Sequence, residues 1–187
     1  LPQIKELLSQ WADESYGPAG MKRLREICDE HGILLVFDEV ITGFGRLGQP
    51  FASQAFDVMP DIITMAKALT NGAIPMGAVS VRDEIYETVT QAAPEEAIEF
   101  FHGYTYSAHP AACAAGLATL QIYEDEQLFE RSAEMSEYFL DAIWSLKDIP
   151  VVRDLRGIGM LAGVEVFPIE GKPGIRGNGL QKSMFWN

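Results

Sequence analysis

Two residues in this 187-residue chain pair a carboxylate with an amine at a separation of one strand-to-strand crossover: Asp38 in ILLVFDEV and Lys67 in TMAKALTNGAIPMGAV. Lys67 is the single charged residue in that second stretch, residues 64–79, and no acidic neighbour in sequence is at hand to pair with it. A lysine among small and apolar residues either reaches water along its aliphatic stem or gives up its proton. An amine that loses its proton readily is a nucleophile toward carbonyl groups and forms Schiff bases. Asp38 taken singly is ordinarily a strand-end cap, and its neighbour Glu39 a solvated loop residue.

The elements around these residues must bring them together. GMKRLREICDEH, residues 20–31, sets Met21, Leu24, Ile27 and Cys28 on one helical face, and Gly32 supplies the stop. ILLVFDEV follows, an apolar run bounded by a turn and by carboxylates, and it predicts a strand buried on both faces. Asp38 and Glu39 then stand at its carboxyl end, the edge at which open α/β sheets bind ligands. ITGFGRLGQPF is glycine-rich and irregular and carries Phe44 and Arg46. A second strand is predicted over 61–65, with Lys67 just past its carboxyl end, and a third over 76–81. Residues 90–108 are expected to be loop, with His102 and His109 satisfying backbone groups. AACAAGLATLQIYED is helical and rich in alanine. EQLFERSAEMSEYFLDAIWSLK predicts a long amphipathic helix with Leu128, Met135, Phe139, Ile143 and Leu146 along one stripe. VVRDLRGIGMLAGVEVF gives two short hairpin-type strands interrupted by Gly157 and Gly159, and the final QKSMFWN lies in a helix with no stop signal. The change from parallel-type to hairpin-type strands divides the chain into part of a larger α/β domain over 1–130 and the start of a smaller α+β domain over 131–187.

Composition narrows the function classes. The chain is 48% hydrophobic and 22% charged, with mean hydropathy near zero and no low-complexity tract. Fourteen basic residues against 27 acidic ones give a net charge of −13. With no basic cluster to meet phosphates, nucleic acid and anionic membranes are not expected partners. No apolar run reaches membrane-spanning length. Cys28 and Cys113 lack metal-ligand spacing and suit a reducing, cytoplasmic setting.

A carboxylate and a Schiff-base lysine on one sheet edge are the pair a pyridoxal phosphate site needs: the carboxylate keeps the pyridine nitrogen protonated, and the lysine holds the aldehyde. Three segments, in order, carry a resemblance that sharpens this: DEVITGFGR (38–46), AKALTNGAIPMGA (66–78) and TYSAHP (105–110). Together they are similar to the signatures of the class III aminotransferases, pyridoxal-phosphate enzymes of fold type I. The resemblance runs from about Met21 to the end of the chain.

The resemblance implies a mostly parallel large-domain sheet and pyridoxal 5'-phosphate as cofactor. It implies that Lys67 holds the cofactor and moves a proton during transfer, and that Asp38 pairs with the ring nitrogen. Val40 matches the apolar residue on one ring face, with Ile41 its neighbour. Thr105 matches a threonine that reaches the cofactor phosphate from the other subunit, which implies a homodimer with shared active sites. Within the family, FFHGYTYSAHP, NGAIPMGAV and GKPGIRG resemble the ω-amino acid (β-alanine)–pyruvate branch, which implies an amine donor and pyruvate as acceptor. The 4-aminobutyrate, diaminopelargonate and acetylornithine enzymes share the same chemistry. LPQIKELLSQWADESYGPAG departs from the family, whose members carry a strand there, and both ends look cut. A second reading is therefore a truncated, catalytically inactive piece that serves at most as an assembly or dimerisation module.

Overall fold

The computed structural model describes residues 17–98, 100 and 103–167. The GKPGIRG segment, the QKSMFWN helix, His102 and most of the departing N-terminal stretch lie outside the described residues. In chain order the elements are α1 (Pro18–Glu30), β1 (Val36–Asp38), α2 (Ala52–Ala55), β2 (Ile62–Met65), a 3₁₀ turn (Lys67–Leu69), β3 (Ala78–Val81), α3 (Asp83–Gln91), α4 (Pro110–Asp125), α5 (Leu128–Trp144), β4 (Val152–Ile158) and β5 (Leu161–Val166).

Helix α1 begins with a proline in its first turn, where the missing N–H costs nothing. It ends as expected at Gly32, whose φ of 61° lets the chain reverse so that the Ile33 amide donates to the Cys28 carbonyl at 2.8 Å. The reversal delivers Leu35 and Phe37 onto the helix. These two pack with Cys28 and Val58 in a core flanked by Met21, Leu24, Phe56 and Ile63.

Strands β1, β2 and β3 form one sheet in that order. β1 and β2 run parallel, with Asp38 opposite Thr64; β3 runs antiparallel to β2, with Thr64 opposite Val79 and Ile62 opposite Val81. The third strand, whose direction the sequence left open, is antiparallel, because the link from Met65 to Ala78 holds only a 3₁₀ turn and no crossover helix. One expectation is corrected here: β1 is buried on one face only, with Leu34 57% and Val36 50% exposed while Leu35 and Phe37 are buried. Helix α1 covers one side of the sheet. No described element covers the row of Val36, Ile62 and Val81 on the other side.

Asp61 ties these elements together. Its Oδ2 accepts from the Arg25 guanidinium of α1 and from the Leu35 amide, each at 2.6 Å, and its Oδ1 accepts from Arg82 at 3.2 Å. Burial alone would raise this carboxyl's pKa, but those hydrogen bonds and the Arg25 charge hold it below the ordinary carboxylate range.

Helices α4 and α5 fall where the alanine-rich and amphipathic segments predict them. The stripe on α5 is half-buried rather than sealed, with Met135 37% exposed. Strands β4 and β5 form a separate antiparallel hairpin against α5. The hairpin tip meets the glycine-rich loop: the Met160 amide donates to the Arg46 carbonyl at 2.8 Å. Helix α5 meets the same loop, its Ser132 hydroxyl donating to the Gly45 carbonyl at 2.6 Å. Helix α3, absent from the predicted elements, lies on the surface with no fully buried residue. No described helix is long and apolar enough to cross a membrane.

Candidate active site

Lys67 is the first residue of the 3₁₀ turn that follows β2, and its backbone takes a left-handed φ of 45°. That region costs a side-chain-bearing residue energy, and such residues cluster at functional sites. The turn is closed by the Leu69 amide on the Ala66 carbonyl at 3.0 Å and the Thr70 amide on the Lys67 carbonyl at 3.2 Å. Thr70, 2% exposed, donates its hydroxyl to the Ile74 carbonyl at 2.7 Å and fixes the loop that follows.

The lysine side chain is exposed and forms no ion pair with any described residue. It lines an open cleft of about 350 Å³ with Val40, Ile41, Arg46, Ala68, Asn71 and Gly72. Three of the residues singled out in the sequence, Lys67, Val40 and Ile41, therefore share one cleft. Arg46 joins them, likewise without an ion pair among the described residues.

Asp38 ends the neighbouring parallel strand, opposite Thr64 and so three residues before Lys67 along β2 and its turn. One carboxylate oxygen, Oδ1, accepts from the Val40 amide at 3.2 Å and the Thr64 hydroxyl at 3.3 Å. The other has no hydrogen bond to a described residue, and the side chain is exposed. Asp38 lines a different cleft, of about 280 Å³ beside β1, which shares no lining residue with the Lys67 cleft. Thr105 is exposed in the turn before α4 and lines neither cleft. His109 keeps the backbone role expected of it, as its Nδ1 accepts from the Ala111 amide at 3.2 Å at the start of α4.

Sequence reasoning misplaced Glu39. Far from being solvated, it is 1% exposed. Its carboxylate accepts from the Thr42 hydroxyl at 2.6 Å, the Ala52 amide at 2.9 Å and the Ser53 amide at 2.8 Å. It closes the glycine-rich loop onto the strand end, and so fixes the segment carrying Val40, Ile41 and Arg46. No sequence signal separates it from its neighbour Asp38, because the donors that hold it lie 13 and 14 residues downstream.

The chain matches the model of the aminotransferase class-III family over residues 14–175. It belongs to that family. Over 156 residues it is 55% identical to an omega-aminotransferase of Caulobacter vibrioides, a match covering 83% of this chain and 35% of that protein. Over 175 residues it is 49% identical to a beta-alanine–pyruvate aminotransferase of Pseudomonas aeruginosa, covering 92% of this chain and 39% of the relative. The fold superimposes on the crystal structure of an (S)-enantioselective omega-transaminase from Thermomicrobium roseum with a TM-score of 0.73 at 41% identity, over 84% of this chain and 34% of that one. The chain thus spans little more than a third of the length of these relatives. Class III aminotransferases are pyridoxal-phosphate-dependent enzymes, and the residues at the two clefts suit that cofactor: an amine for its aldehyde with no ion pair among the described residues, an apolar residue beside it, and one strand away a carboxylate oxygen with no described partner.

Proposed function

We propose that the chain is the lysine-bearing part of an ω-amino acid–pyruvate aminotransferase, which moves an amino group from an ω-amino acid or amine such as β-alanine to pyruvate. The observation that carries this reading is the Lys67 amine, without an ion pair among the described residues, in a cleft walled by Val40 and Ile41, with the Asp38 carboxylate at the adjacent strand end. The beta-alanine–pyruvate and omega-aminotransferase relatives support the donor and acceptor classes.

Bound pyridoxal phosphate would supply an aldehyde and an electron-accepting ring. Lys67 Nζ would hold that aldehyde and, once released, carry a proton to and from the substrate carbon that bears the amino group. Asp38, through its unengaged oxygen, would hold a proton on the ring nitrogen, while its Oδ1 stays tied to Val40 and Thr64. Val40 would offer an apolar wall to one ring face, with Ile41 beside it. Thr105 of each subunit would serve the cofactor phosphate in the other subunit's site, which makes the protein a homodimer. A division near residue 130 would separate the larger cofactor domain from the smaller one. The free thiols of Cys28 and Cys113 fit a cytoplasmic protein.

The test is an absorbance spectrum with added pyridoxal phosphate, then borohydride reduction and peptide mass mapping, on wild type and Lys67→Ala. A violet to near-ultraviolet band fixed onto Lys67, and lost in the variant with far-ultraviolet circular dichroism retained, is the expected result. An unchanged band in Lys67→Ala removes Lys67 from this function. A wild-type protein that forms no band would instead count for the second reading, an inactive assembly module. A screen of β-alanine against 4-aminobutyrate, diamines and acetylornithine as donors then separates the branches.

A further inference from the structure

Tyr123, on α4 and 55 residues from Ala68 in sequence, reaches across to the turn that begins with Lys67. Its ring is 7% exposed and lies between two others: Phe44 of the glycine-rich loop, stacked at 6.1 Å between centroids, and Phe129 of α5, tilted at 5.3 Å. Its hydroxyl stands 2.6 Å from the Ala68 carbonyl and 3.3 Å from the Asn71 side-chain oxygen. A phenol has one proton to donate, and the shorter contact takes it. Asn71 also has a left-handed φ, 50°, which asparagine tolerates in turns, whereas Lys67 in the same region is unfavourable. Such a residue persists where its surroundings over-determine it. In the described structure the tertiary hydrogen bond to the turn comes from Tyr123, and it falls on the carbonyl of the residue that follows the lysine.

We propose that Tyr123 is a positioning residue for Lys67: its hydroxyl holds the Ala68 carbonyl, keeps the lysine in its left-handed backbone conformation and so aims the amine into the cleft shared with Val40 and Ile41. This inference rests on the reading of Lys67 given above. The ring stack makes the anchor stiff. Phe44 and Phe129 fix the ring from the loop and from α5, so the aim of the lysine depends on three segments that are far apart in sequence. Burial pushes the phenol's pKa above its ordinary value, so the hydroxyl keeps its proton and remains a donor.

The experiment compares wild type, Tyr123→Phe and Phe129→Leu in the full-length protein. Cofactor-free samples are treated with trace amine-reactive anhydride, and the labelling rate of Lys67 is followed against pH, with Lys22 and Lys147 as internal references. Cofactor-loaded samples are followed by kcat and KM. Tyr123→Phe is expected to change the Lys67 labelling rate at least threefold, to displace its pH midpoint and to lower kcat about tenfold with KM within twofold. Phe129→Leu, which loosens the stack but keeps the hydroxyl, is expected to lower the melting temperature and to move the Lys67 labelling midpoint in the same direction as Tyr123→Phe but by less. If Lys67 in Tyr123→Phe labels with the wild-type rate and midpoint, the inference is overturned and Tyr123 only packs. Should the phenylalanine variant fail to fold, 3-fluorotyrosine at position 123 keeps the shape and changes only the donor strength; a displaced Lys67 midpoint supports the anchor, and an unmoved one overturns it. The labelling arm needs no cofactor. A failure of borohydride to fix cofactor on wild-type Lys67 would therefore count against the proposed function and leave the positioning result to be judged separately.

Discussion

Asp38 and Glu39 are adjacent carboxylates with opposite fates, and the difference lies in how many donors reach each one. Asp38 keeps one oxygen without a partner among the described residues, whereas Glu39 is enclosed by a hydroxyl and two backbone amides. Asp38→Asn is therefore expected to fold normally and to retain the covalent hold on Lys67, yet to lose turnover by on the order of a hundredfold, because a preorganised charge is removed while a neutral group of the same shape remains. Steady-state kinetics beside the borohydride assay checks this, and near-wild-type turnover would refute the assignment of Asp38. Glu39→Ala is expected to behave in the reverse sense. It strands the buried Ala52 and Ser53 amides and should lower stability by about 2–4 kcal/mol, read by urea denaturation. A Glu39→Ala variant as stable as wild type would mean that the glycine-rich loop holds itself. The D-E pair was legible in the sequence as two carboxylates at a strand end, but their different surroundings were not, since the amides that bury Glu39 arrive through tertiary structure.

At the scale of elements, local pattern located α1, the three strands, α4, α5 and the hairpin, because each shows its own period or its own punctuation. Leu24, Ile27 and Cys28 recur at helical spacing, and Gly32 stops the helix. What local pattern could not supply was which face of a strand finds a cover, or whether β3 would pair parallel or antiparallel. Asp61 shows how such elements are joined. Its carboxyl pKa is lowered in the folded chain, so it adds stability that is full above the ordinary carboxylate value, about 4, and is lost as the pH falls through its lower folded value. Wild type should lose melting temperature steeply below about pH 4. Asp61→Asn should be less stable at neutral pH by about 3 kcal/mol, having left Arg25 without its inner partner, and its pH profile should be flatter in acid. Parallel profiles for the two proteins would show that the Arg25–Asp61–Arg82 cluster does not set the acid limit. A second joint is Gly159, at the tip of the hairpin, with φ 58°; a Cβ there would stand 2.5 Å from the Arg46 carbonyl oxygen and 2.9 Å from the Leu47 Cα. Gly159→Ala should cost roughly 2–4 kcal/mol, from the left-handed penalty and the forced shift of the loop backbone, as measured by thermal unfolding.

At the scale of the whole molecule, no described element covers one face of the sheet. Leu34, Val36, Val79 and Val81 are 57, 50, 64 and 37% exposed, and the strand register sets Val36, Ile62 and Val81 in one row and Asp38, Thr64 and Val79 in the next, on the same face. A sheet face of this kind is stable when a second layer covers it. The family relationship explains why the open face coincides with the strand end that bears Asp38: the relatives are almost three times as long as the stretch matched here, and the remainder of such a protein is where a cover would come from. A polypeptide of these 187 residues alone should therefore associate through that face. Sedimentation velocity across a tenfold range of concentration should show its average mass rising, with binding of an apolar dye in parallel. Val36→Lys together with Val79→Lys should suppress both signals in the isolated polypeptide. In the full-length protein the same pair should instead destabilise, because two lysines would then be forced under a covering layer. A polypeptide that stays monomeric and binds no dye would show that the face is already covered. If the lysine pair left full-length stability unchanged, the face would be solvent-exposed in the intact protein, and Asp38 would stand at an open surface instead of the wall of a closed site.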